Sequence, residues 1–539
     1  MKNLKLKKGL VALTSAALVT AFAVAIPSVA RADEPTCSDT GFIDGAKFVA
    51  FQKCTGADGN GSKYEIRMPA KFNGTLYVYS HGIRYNVNLP AIPVVSPKGS
   101  LIDYSPEVAP SETVAEALLS QGYALAGSGA TSQGWNLSEG VDAALQVMQI
   151  AREKYSKVSK VITWGSSLGG LTAQALAEQY SGAVDAVAPL CIADSAQAEI
   201  TMAGDFLWGL KTFFNPAIKG SNYSAGSAGY VEMLTDLGTV LTTLGALQAA
   251  IAANPVAPAW PASTTVPATL QAIPVRSAIL LLGLISGIST QSNTYDASSG
   301  PAGALETSFG LAISPALAVL ENGAQAAILA VIANYDMEVR AGGVVFDNSA
   351  TDYSARLGDD GDIYAAALTG KTATAGMLAY LSKFNPAAPR VTGSPDAIAN
   401  LKSMYQLKGQ IEVPTITLAA TADHITPPGA AQYLINQYNN SVTNLTASAG
   451  KLVSIWNKPP DGYTTFSAAG SPVAPTVTTN GTGHCNYTTS QVLAVAKLAA
   501  NAAKTGKAPS TSAVKAAIKN EPNLFVDPSY KPALLKYNQ

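Results

Sequence analysis

One serine lies in a sequence context typical of a nucleophile. Gly165-Ser166-Ser167-Leu168-Gly169 fits the pattern G-x-S-x-G, with the β-prone run VITW before it and the helix-forming run LTAQALAEQY after it. A serine on a sharp strand-to-helix turn is exposed at the edge of a sheet, and small neighbours let the backbone approach closely. We therefore predict that Ser167 is a nucleophile and that Ser166 is a turn residue. A plain tight turn is the alternative.

A serine nucleophile needs a base, and the chain has only three histidines, His81, His424 and His484. Asp423 follows the strand-like run PTITLAA, and His484 precedes the final long helical pattern. The order Ser167, Asp423, His484 is one of the known orders of a Ser-His-Asp triad. His424 is the rival base, but adjacent residues of an extended loop point apart, so Asp423 would orient it poorly. We predict His484 as the base and Asp423 as its carboxylate.

The elements around these residues predict the fold class. Short apolar strands alternate with amphipathic helices from about Gly74 to Cys191, and the strand pattern resumes near Ile411. This alternation predicts an α/β fold, a doubly wound, mostly parallel sheet covered by helices. The Ala/Leu/Gly-rich chain between these parts is helical in pattern and predicts a large helical cap inserted into the sheet domain. AILLLGLISGI within it is too short to span a bilayer and predicts a buried helix.

The domain division follows from these patterns. We predict a signal peptide at 1–32, the first part of the α/β core at 33–195, a helical cap or lid at 196–390, and the second part of the core at 391–539.

The first 32 residues have the features of a secretory signal peptide. Four lysines precede an apolar, Ala-rich run, and Ala30-Arg31-Ala32 forms an A-x-A cleavage signal. An uncleaved membrane anchor is the alternative, but Pro27 interrupts the run. We expect a secreted protein, extracellular or in the cell envelope, with no stable membrane anchor after cleavage.

Cysteine count fits that location. Cys37, Cys54, Cys191 and Cys485 all follow the cleavage point, and an even number in an exported chain predicts two disulfides. Cys37 and Cys54 flank a predicted hairpin, and a bond between them would leave Cys191 with Cys485. Four cysteines allow three pairings, so the sequence leaves the pairing open.

The segments GTLYVYSHG, TWGSSLGG, PTITLAATADHITPP and GTGHCNYT resemble those of the α/β-hydrolase superfamily, particularly its secreted serine esterase-like members. The resemblance spans about Gly74 to the final helix, without the helical insertion. It implies the α/β-hydrolase fold, with Ser167 as nucleophile, His484 as general base and acid, and Asp423 as the orienting carboxylate. It also implies an oxyanion hole formed by the backbone N–H groups of Leu168 and Ile83.

The same resemblance gives two cysteines a role. The histidine loop would lie over the strand that ends at Cys191, so a Cys191–Cys485 bond would hold that loop near Ser167. Secreted tannase-like and feruloyl esterase-like hydrolases join this loop to a cysteine just before the serine, whereas this chain has Ser166 there.

Acyl transfer to water is the reaction class that the triad predicts. A carboxylic ester, small or polymeric, is the expected substrate. A secreted exopeptidase is the main alternative, in which acidic cap residues would hold a peptide's amino terminus. A non-catalytic binding protein on a hydrolase scaffold is a third. In the exopeptidase alternative, the acidic cap residues that could hold the amino terminus are Glu199, Asp205 and Glu232.

Other features of the composition limit the function. The formal net charge is −1 without a basic block, which argues against a nucleic-acid partner. We predict no cofactor and no metal, because no metal or nucleotide motif is visible and acyl transfer needs no cofactor. The acidic stretch 347–362 does not have the spacing of an EF-hand and is interpreted as a solvated loop. Four cap aromatics are candidates either for an apolar acyl pocket or, as we favour, for the cap's own core: Phe206, Trp208, Phe213 and Phe214.

Overall fold

A computed structural model gives the architecture. It describes residues 34–92, 96–254, 257–295, 313–384, 388–459, 465–466, 472–473 and 481–539. The predicted signal peptide lies outside the described residues and stays a prediction.

Ten strands form one sheet in the order β1-β2-β3-β5-β4-β6-β7-β8-β9-β12. Strands β5, β4, β6, β7, β8 and β9 are mutually parallel, whereas β1, β2, β3 and β12 pair in antiparallel fashion at the two edges. The strand bounds are β1 Thr36–Asp44, β2 Lys47–Ala57, β3 Lys63–Pro69, β4 Thr75–Ser80, β5 Ala124–Ser128, β6 Lys160–Ser166, β7 Ala186–Leu190, β8 Thr415–Ala420, β9 Leu452–Asn457 and β12 Leu524–Phe525; a separate pair is β10 Thr465–Phe466 and β11 Pro472–Val473.

Helices cover both faces of the sheet. One face packs against α1 and α13, and the other against α2, α3 and α12, in two large apolar clusters that are separated by the sheet. The central strands β4 and β8 are buried along their whole length, as expected for parallel strands covered on both sides. The bounds are α1 Glu112–Ser120, α2 Leu137–Lys154, α3 Leu168–Gln179, α12 Pro428–Thr443, α13 Thr489–Thr505 and α14 Thr511–Ala517.

The predicted fold class is confirmed. The parallel strands, the antiparallel edges and the glycine-flanked serine turn at the end of a central strand are the arrangement of an α/β-hydrolase. The hairpin expected between Cys37 and Cys54 is the pair β1–β2, whose strands are joined by a short turn at Gly45.

The chain between β7 and β8 is helical in its described parts. Its central helices α4, α6 and α7 pack against one another over the carboxyl edge of the sheet, and α6 is fully buried as predicted. Two helices here, α5 and α7, are apolar and long enough to cross a membrane, although 61% of the most apolar stretch of α7 is buried inside the protein. The bounds are α4 Ala196–Phe213, α5 Gly226–Ala253, α6 Val275–Ser286, α7 Ile313–Ala341, α8 Tyr353–Leu357, α9 Asp360–Ile363, α10 Lys371–Ala379 and α11 Pro395–Ser403. The limits of the cap as a domain stay a prediction.

Candidate active site

Ser167 occupies a strained turn between β6 and α3. Its φ is +60° and its ψ is −126°, a conformation that is costly for a residue with a side chain. The glycines on either side make the turn sterically feasible. A Cβ at Gly165 would collide with the Gly169 carbonyl, and a Cβ at Gly169 would collide with the Ser80 carbonyl. The G-x-S-x-G pattern is therefore a requirement of the backbone geometry that presents this serine.

The loop after β4 runs beside the serine. A Cβ added to Gly82 would lie 3.3 Å from Ser167 Cβ, so glycine allows this close approach. The next residue, Ile83, lines the same cavity as Ser167 and Leu168. The two residues predicted to form an oxyanion hole are thus brought to the serine, and their role as donors stays a prediction.

Asp423 and His484 are hydrogen-bonded to each other. Nδ1 of His484 lies 3.1 Å from each carboxylate oxygen of Asp423. A parallel bridge between Ala422 and Thr482 holds the two loops side by side. This contact explains how residues from β8 and from the loop before α13 meet at one point.

The surroundings of Asp423 favour its ionised form. The side chain is completely buried, yet it accepts backbone N–H bonds from Ile425 at 2.9 Å, Thr426 at 3.0 Å and Cys485 at 3.1 Å. Burial alone raises the pKa of this carboxyl, but the charge and hydrogen bond of His484 and the backbone N–H outweigh it, and the pKa lies below its usual value. Asp423 is therefore an anion suited to orient an imidazole.

Ser167 and His484 form no hydrogen bond with each other in the part of the chain that the structure describes. His484 Nε2 lies 3.5 Å from Cys485 Sγ. Its Nδ1 also lies 3.5 Å from the hydroxyl of Thr426, which lines the same cavity as Ser167. The imidazole is therefore next to the cavity, with its Asp423 contact made and its serine contact open.

A disulfide ties the histidine loop to the sheet. Cys191, the residue after β7, is bonded to Cys485 across 294 residues of sequence. Cys37 is bonded to Cys54, which is its direct partner in the β1–β2 register. The Thr426 hydroxyl donates to the Cys191 carbonyl at 3.0 Å, which ties the Asp423 loop to the same point of the sheet.

The other two histidines are placed differently. His424 is 2% exposed, and its Nδ1 has no hydrogen-bond partner within the described residues. Burial lowers the pKa of His424 to about 4, so the ring is neutral at pH 7. His81 is buried with Nδ1 2.7 Å from the Gly82 carbonyl. Asp423 is thus hydrogen-bonded to His484 and not to His424, its neighbour in the sequence.

Ser167 opens into a narrow cavity between α4 and α7, here called the slot. It encloses about 730 Å³ of empty space, including the part open to solvent. Side chains from α4 recur at helical spacing, and small side chains of α7 form the facing wall. The lining residues are Glu199, Ile200, Met202, Ala203 and Phe206 from α4, and Ala326, Leu329, Ala330, Ala333, Asp336 and Met337 from α7.

One of the four cap aromatics, Phe206, lines the slot. The others pack within the helical layer. The ring of Trp208 stacks on Tyr353 with 5.3 Å between centroids, and Phe213 and Phe214 contact each other at 6.0 Å. Sequence spacing could not separate these roles, because it does not show which helix each aromatic faces.

The three acidic residues considered for binding an amino terminus lie in different surroundings. Asp205 is ion-paired with Arg356 and accepts the Tyr353 hydroxyl at 2.7 Å. Glu232 pairs with Lys219 at 2.5 Å. Glu199 alone of the three lines the slot.

Two further features of the slot were not predicted. Asp336 of α7 links the cap to the core, because it accepts hydrogen bonds from Asn86 at 3.1 Å and from the Trp135 backbone at 3.1 Å. Arg340 donates to it at 2.9 Å and offsets its charge. The second feature is Thr426, which also lines the slot. Only a sequence signal that paired α7 with the core loops could have found Asp336.

Within the described residues, Asp423, His484 and Cys485 are the one group of three metal-ligand side chains close enough to share an ion. The Cys485 sulfur is already bonded in the disulfide, which leaves two. In the acidic stretch 347–362, Asp352 caps α8 by accepting backbone N–H bonds from Ser354 and Ala355.

Part of the chain is similar to a family of known sequences. Residues 53–277 match the model of a family described as "Tannase-like family of unknown function (DUF6351)". The matched segment contains the serine turn and ends in α6, before the Asp423 and His484 loops. No curated protein is significantly similar in sequence.

Several solved structures are similar at low identity. An esterase from Aspergillus oryzae is 12% identical, with 80% of this chain and 79% of that chain covered and a TM-score of 0.37. Feruloyl esterase B from Aspergillus oryzae is 13% identical over 80% and 79%, with a TM-score of 0.35. The rice cell wall degrading esterase LipA from Xanthomonas oryzae is 12% identical over 85% and 91%, with a TM-score of 0.32.

Proposed function

We propose that this protein is a secreted serine hydrolase that cleaves carboxylic esters through an acyl-enzyme on Ser167. The observation that carries the proposal is the strained serine turn, which opens into an apolar slot beside an Asp423-bound imidazole. The tannase-like description of the family model supports ester chemistry. The two disulfides support an exported protein.

The reaction proceeds in two acyl-transfer steps. His484 takes the proton of the Ser167 hydroxyl as the oxygen attacks the ester carbonyl, and Asp423 stabilises the imidazolium that forms. The N–H groups of Leu168 and Ile83 bind the oxyanion. The tetrahedral intermediate expels the alcohol, which receives the proton from His484. His484 then deprotonates a water that attacks the acyl carbonyl. The bond to Ser167 Oγ breaks, the acid leaves, and His484 returns its proton to Ser167.

This mechanism requires His484 Nε2 to reach Ser167 Oγ. Catalytic hydrogen bonds are often long or open in ligand-free enzymes and close in the substrate complex. The Asp423 contact at Nδ1 already fixes the tautomer in which Nε2 accepts a proton. The mechanism therefore needs a movement that brings Nε2 to Ser167 Oγ and keeps the Asp423 contact.

The charges around the slot favour an ester over a peptide. Exopeptidase binding of an amino terminus needs an ionised carboxylate in the pocket. Asp205 and Glu232 are paired elsewhere, and Asp336 is offset by Arg340. Burial raises the pKa of Glu199 to about 8, so this carboxyl is largely neutral at pH 7. An uncharged acyl group suits such a slot better than an ammonium group.

Hydrolysis of matched substrates tests this proposal. Nitrophenyl esters and aminoacyl nitroanilides would be assayed with the mature protein and with Ser167→Ala and Ser166→Ala. Ser166 is the matched control because it is the adjacent serine, and its hydroxyl accepts a hydrogen bond from Tyr79 at 3.1 Å. We expect esterase activity in wild type and Ser166→Ala and none above background in Ser167→Ala. Faster cleavage of anilides, or activity in Ser167→Ala, would contradict the proposal.

A further inference from the structure

Glu199 is a carboxyl in the slot that the triad mechanism does not use. Its Oε1 accepts the backbone N–H of Asp194 at 3.1 Å. Oε2 makes no hydrogen bond or ion pair with any described residue. The side chain is deep in the protein but only partly buried, because it lines the slot. Glu199 thus presents one unused carboxyl oxygen to the space where the acyl group would lie.

The other polar groups of the slot are already engaged. Both oxygens of Asp336 accept hydrogen bonds, and the Thr426 hydroxyl donates to the Cys191 carbonyl. The indole N–H of Trp135 has no partner within the described residues, but it is shielded from the open space. Apart from the nucleophile, Glu199 is therefore the polar side chain in the described slot wall with capacity left for a ligand.

The groups that face Glu199 keep it protonated. Burial raises the pKa of Glu199, and the charges of Asp194, which precedes α4, and of Asp423, which follows β8, add to that effect. Burial also raises the pKa of Asp194 to about 7, so this group is only partly ionised at neutral pH. On α7, Asp336 is offset by Arg340. From the C-terminal segment, Asn538 donates to Asp194 at 2.6 Å. Among the described residues, no Lys, Arg or His forms an ion pair with Glu199. At neutral pH, Oε2 therefore carries or shares a proton and acts as a hydrogen-bond donor.

Resting on the proposed ester hydrolase function, we propose that Glu199 is a specificity-determining residue and that the preferred acyl group carries one oxygen that accepts a hydrogen bond from it. An ether, keto or hydroxyl oxygen in an otherwise apolar acyl chain has this chemistry. A site with an unpaired polar group in an apolar pocket rejects a ligand that leaves the group unpaired. The apolar stripes of α4 and α7 accommodate the rest of the chain.

The test uses nitrophenyl esters of straight-chain acids and analogues in which one methylene is replaced by an ether oxygen, moved stepwise along the chain. Wild type, Glu199→Leu and Glu199→Gln are compared. Dividing each variant's preference by that of wild type cancels the intrinsic reactivity of the esters. We expect the preference for oxygen at one position, measured as kcat/KM, to fall about 3- to 10-fold in Glu199→Leu. Glu199→Gln should keep it, because its amide also donates.

The pH dependence supplies a second readout. Above about pH 8, wild-type Glu199 loses its proton and KM for the preferred ether ester should rise, whereas KM of Glu199→Gln should not. If Glu199→Leu does not fold, this comparison decides. Equal preferences in wild type and Glu199→Leu at every oxygen position, or equal pH profiles in wild type and Glu199→Gln, would overturn the proposal.

Labelling with a fluorophosphonate separates this failure from a failure of the proposed function. If the variants are labelled but show the same oxygen preference as wild type, only the proposed role of Glu199 is overturned. A folded wild type that neither labels nor hydrolyses esters would overturn both proposals.

Discussion

Asp423 and Glu199 are two carboxyl groups in the interior near the same serine. At pH 7 the first is ionised and the second is largely neutral. Asp423 accepts three backbone N–H groups and an imidazole, so its pKa lies below the usual range. Glu199 accepts one N–H and faces two other carboxylates, so its pKa is raised to about 8. Burial is common to both. The number of donors and the sign of neighbouring charge decide which carboxyl stays ionised.

In the proposed function, this difference separates the region that would carry out catalysis from the region that would recognise the acyl group. The histidine loop needs a fixed anion to stabilise imidazolium, and its donors are backbone groups that cannot move away. The slot is apolar, and a neutral carboxyl costs less there than a charged one. The following predictions test this contrast, starting with the largest expected effect.

Asp423→Asn should cause the largest loss. An amide cannot stabilise the imidazolium or hold Nδ1–H in the correct tautomer, and loss of this charge in a Ser-His-Asp triad costs about 10⁴-fold in kcat. The measurement is kcat for a nitrophenyl ester, with circular dichroism to verify folding. Asp194→Asn is the control, because Asp194 is also buried near the slot but does not contact His484. A loss below tenfold in Asp423→Asn would contradict the assigned role.

The two disulfides should differ in their effects on stability and activity. Replacing Cys191 and Cys485 by alanine opens a loop of 294 residues, which costs about 6 kcal/mol in the chain-entropy model. The Cys37–Cys54 loop of 17 residues predicts a loss of about 3 kcal/mol. Urea unfolding measures both losses.

The two double cysteine variants should also differ in activity. The Cys191/Cys485 variant should also lose kcat, since its histidine loop is released, whereas the Cys37/Cys54 variant should keep it. Equal kcat in the two double variants at a temperature where both are folded would show that the disulfide does not position His484.

Glu199→Gln should stabilise the protein with a particular pH dependence. Because the folded-state pKa of Glu199 is raised, wild type retains a proton that the unfolded chain loses, and its stability falls as pH rises from about 4.5 to about 8. The variant lacks this penalty. Its advantage in free energy of unfolding should grow with pH by at most about 1.4 kcal/mol per unit and then level off. Urea unfolding at pH 5 and pH 9 measures it, and an advantage independent of pH would contradict a protonated Glu199.

The residues proposed for catalysis were easier to locate from the sequence than the residues of the slot. Ser167 could be found because its turn requires glycines at fixed positions, and few histidines and one loop aspartate remained as partners. The sheet followed from strand and helix periodicity. Packing between α4 and α7 could not be predicted, because it depends on contacts between helices far apart in sequence. For that reason Glu199 was not distinguished from Asp205, and Phe206 was not distinguished from Trp208.

The measurement that tests the central claim most directly is the site of a fluorophosphonate adduct, found by peptide mass spectrometry of the mature protein. Wild type, Ser166→Ala and Ser167→Ala would be treated in parallel. The account predicts one adduct on Ser167 in wild type and in Ser166→Ala, and none in Ser167→Ala. An adduct on another residue, or no adduct on folded wild type, would contradict the claim that this turn presents an activated serine.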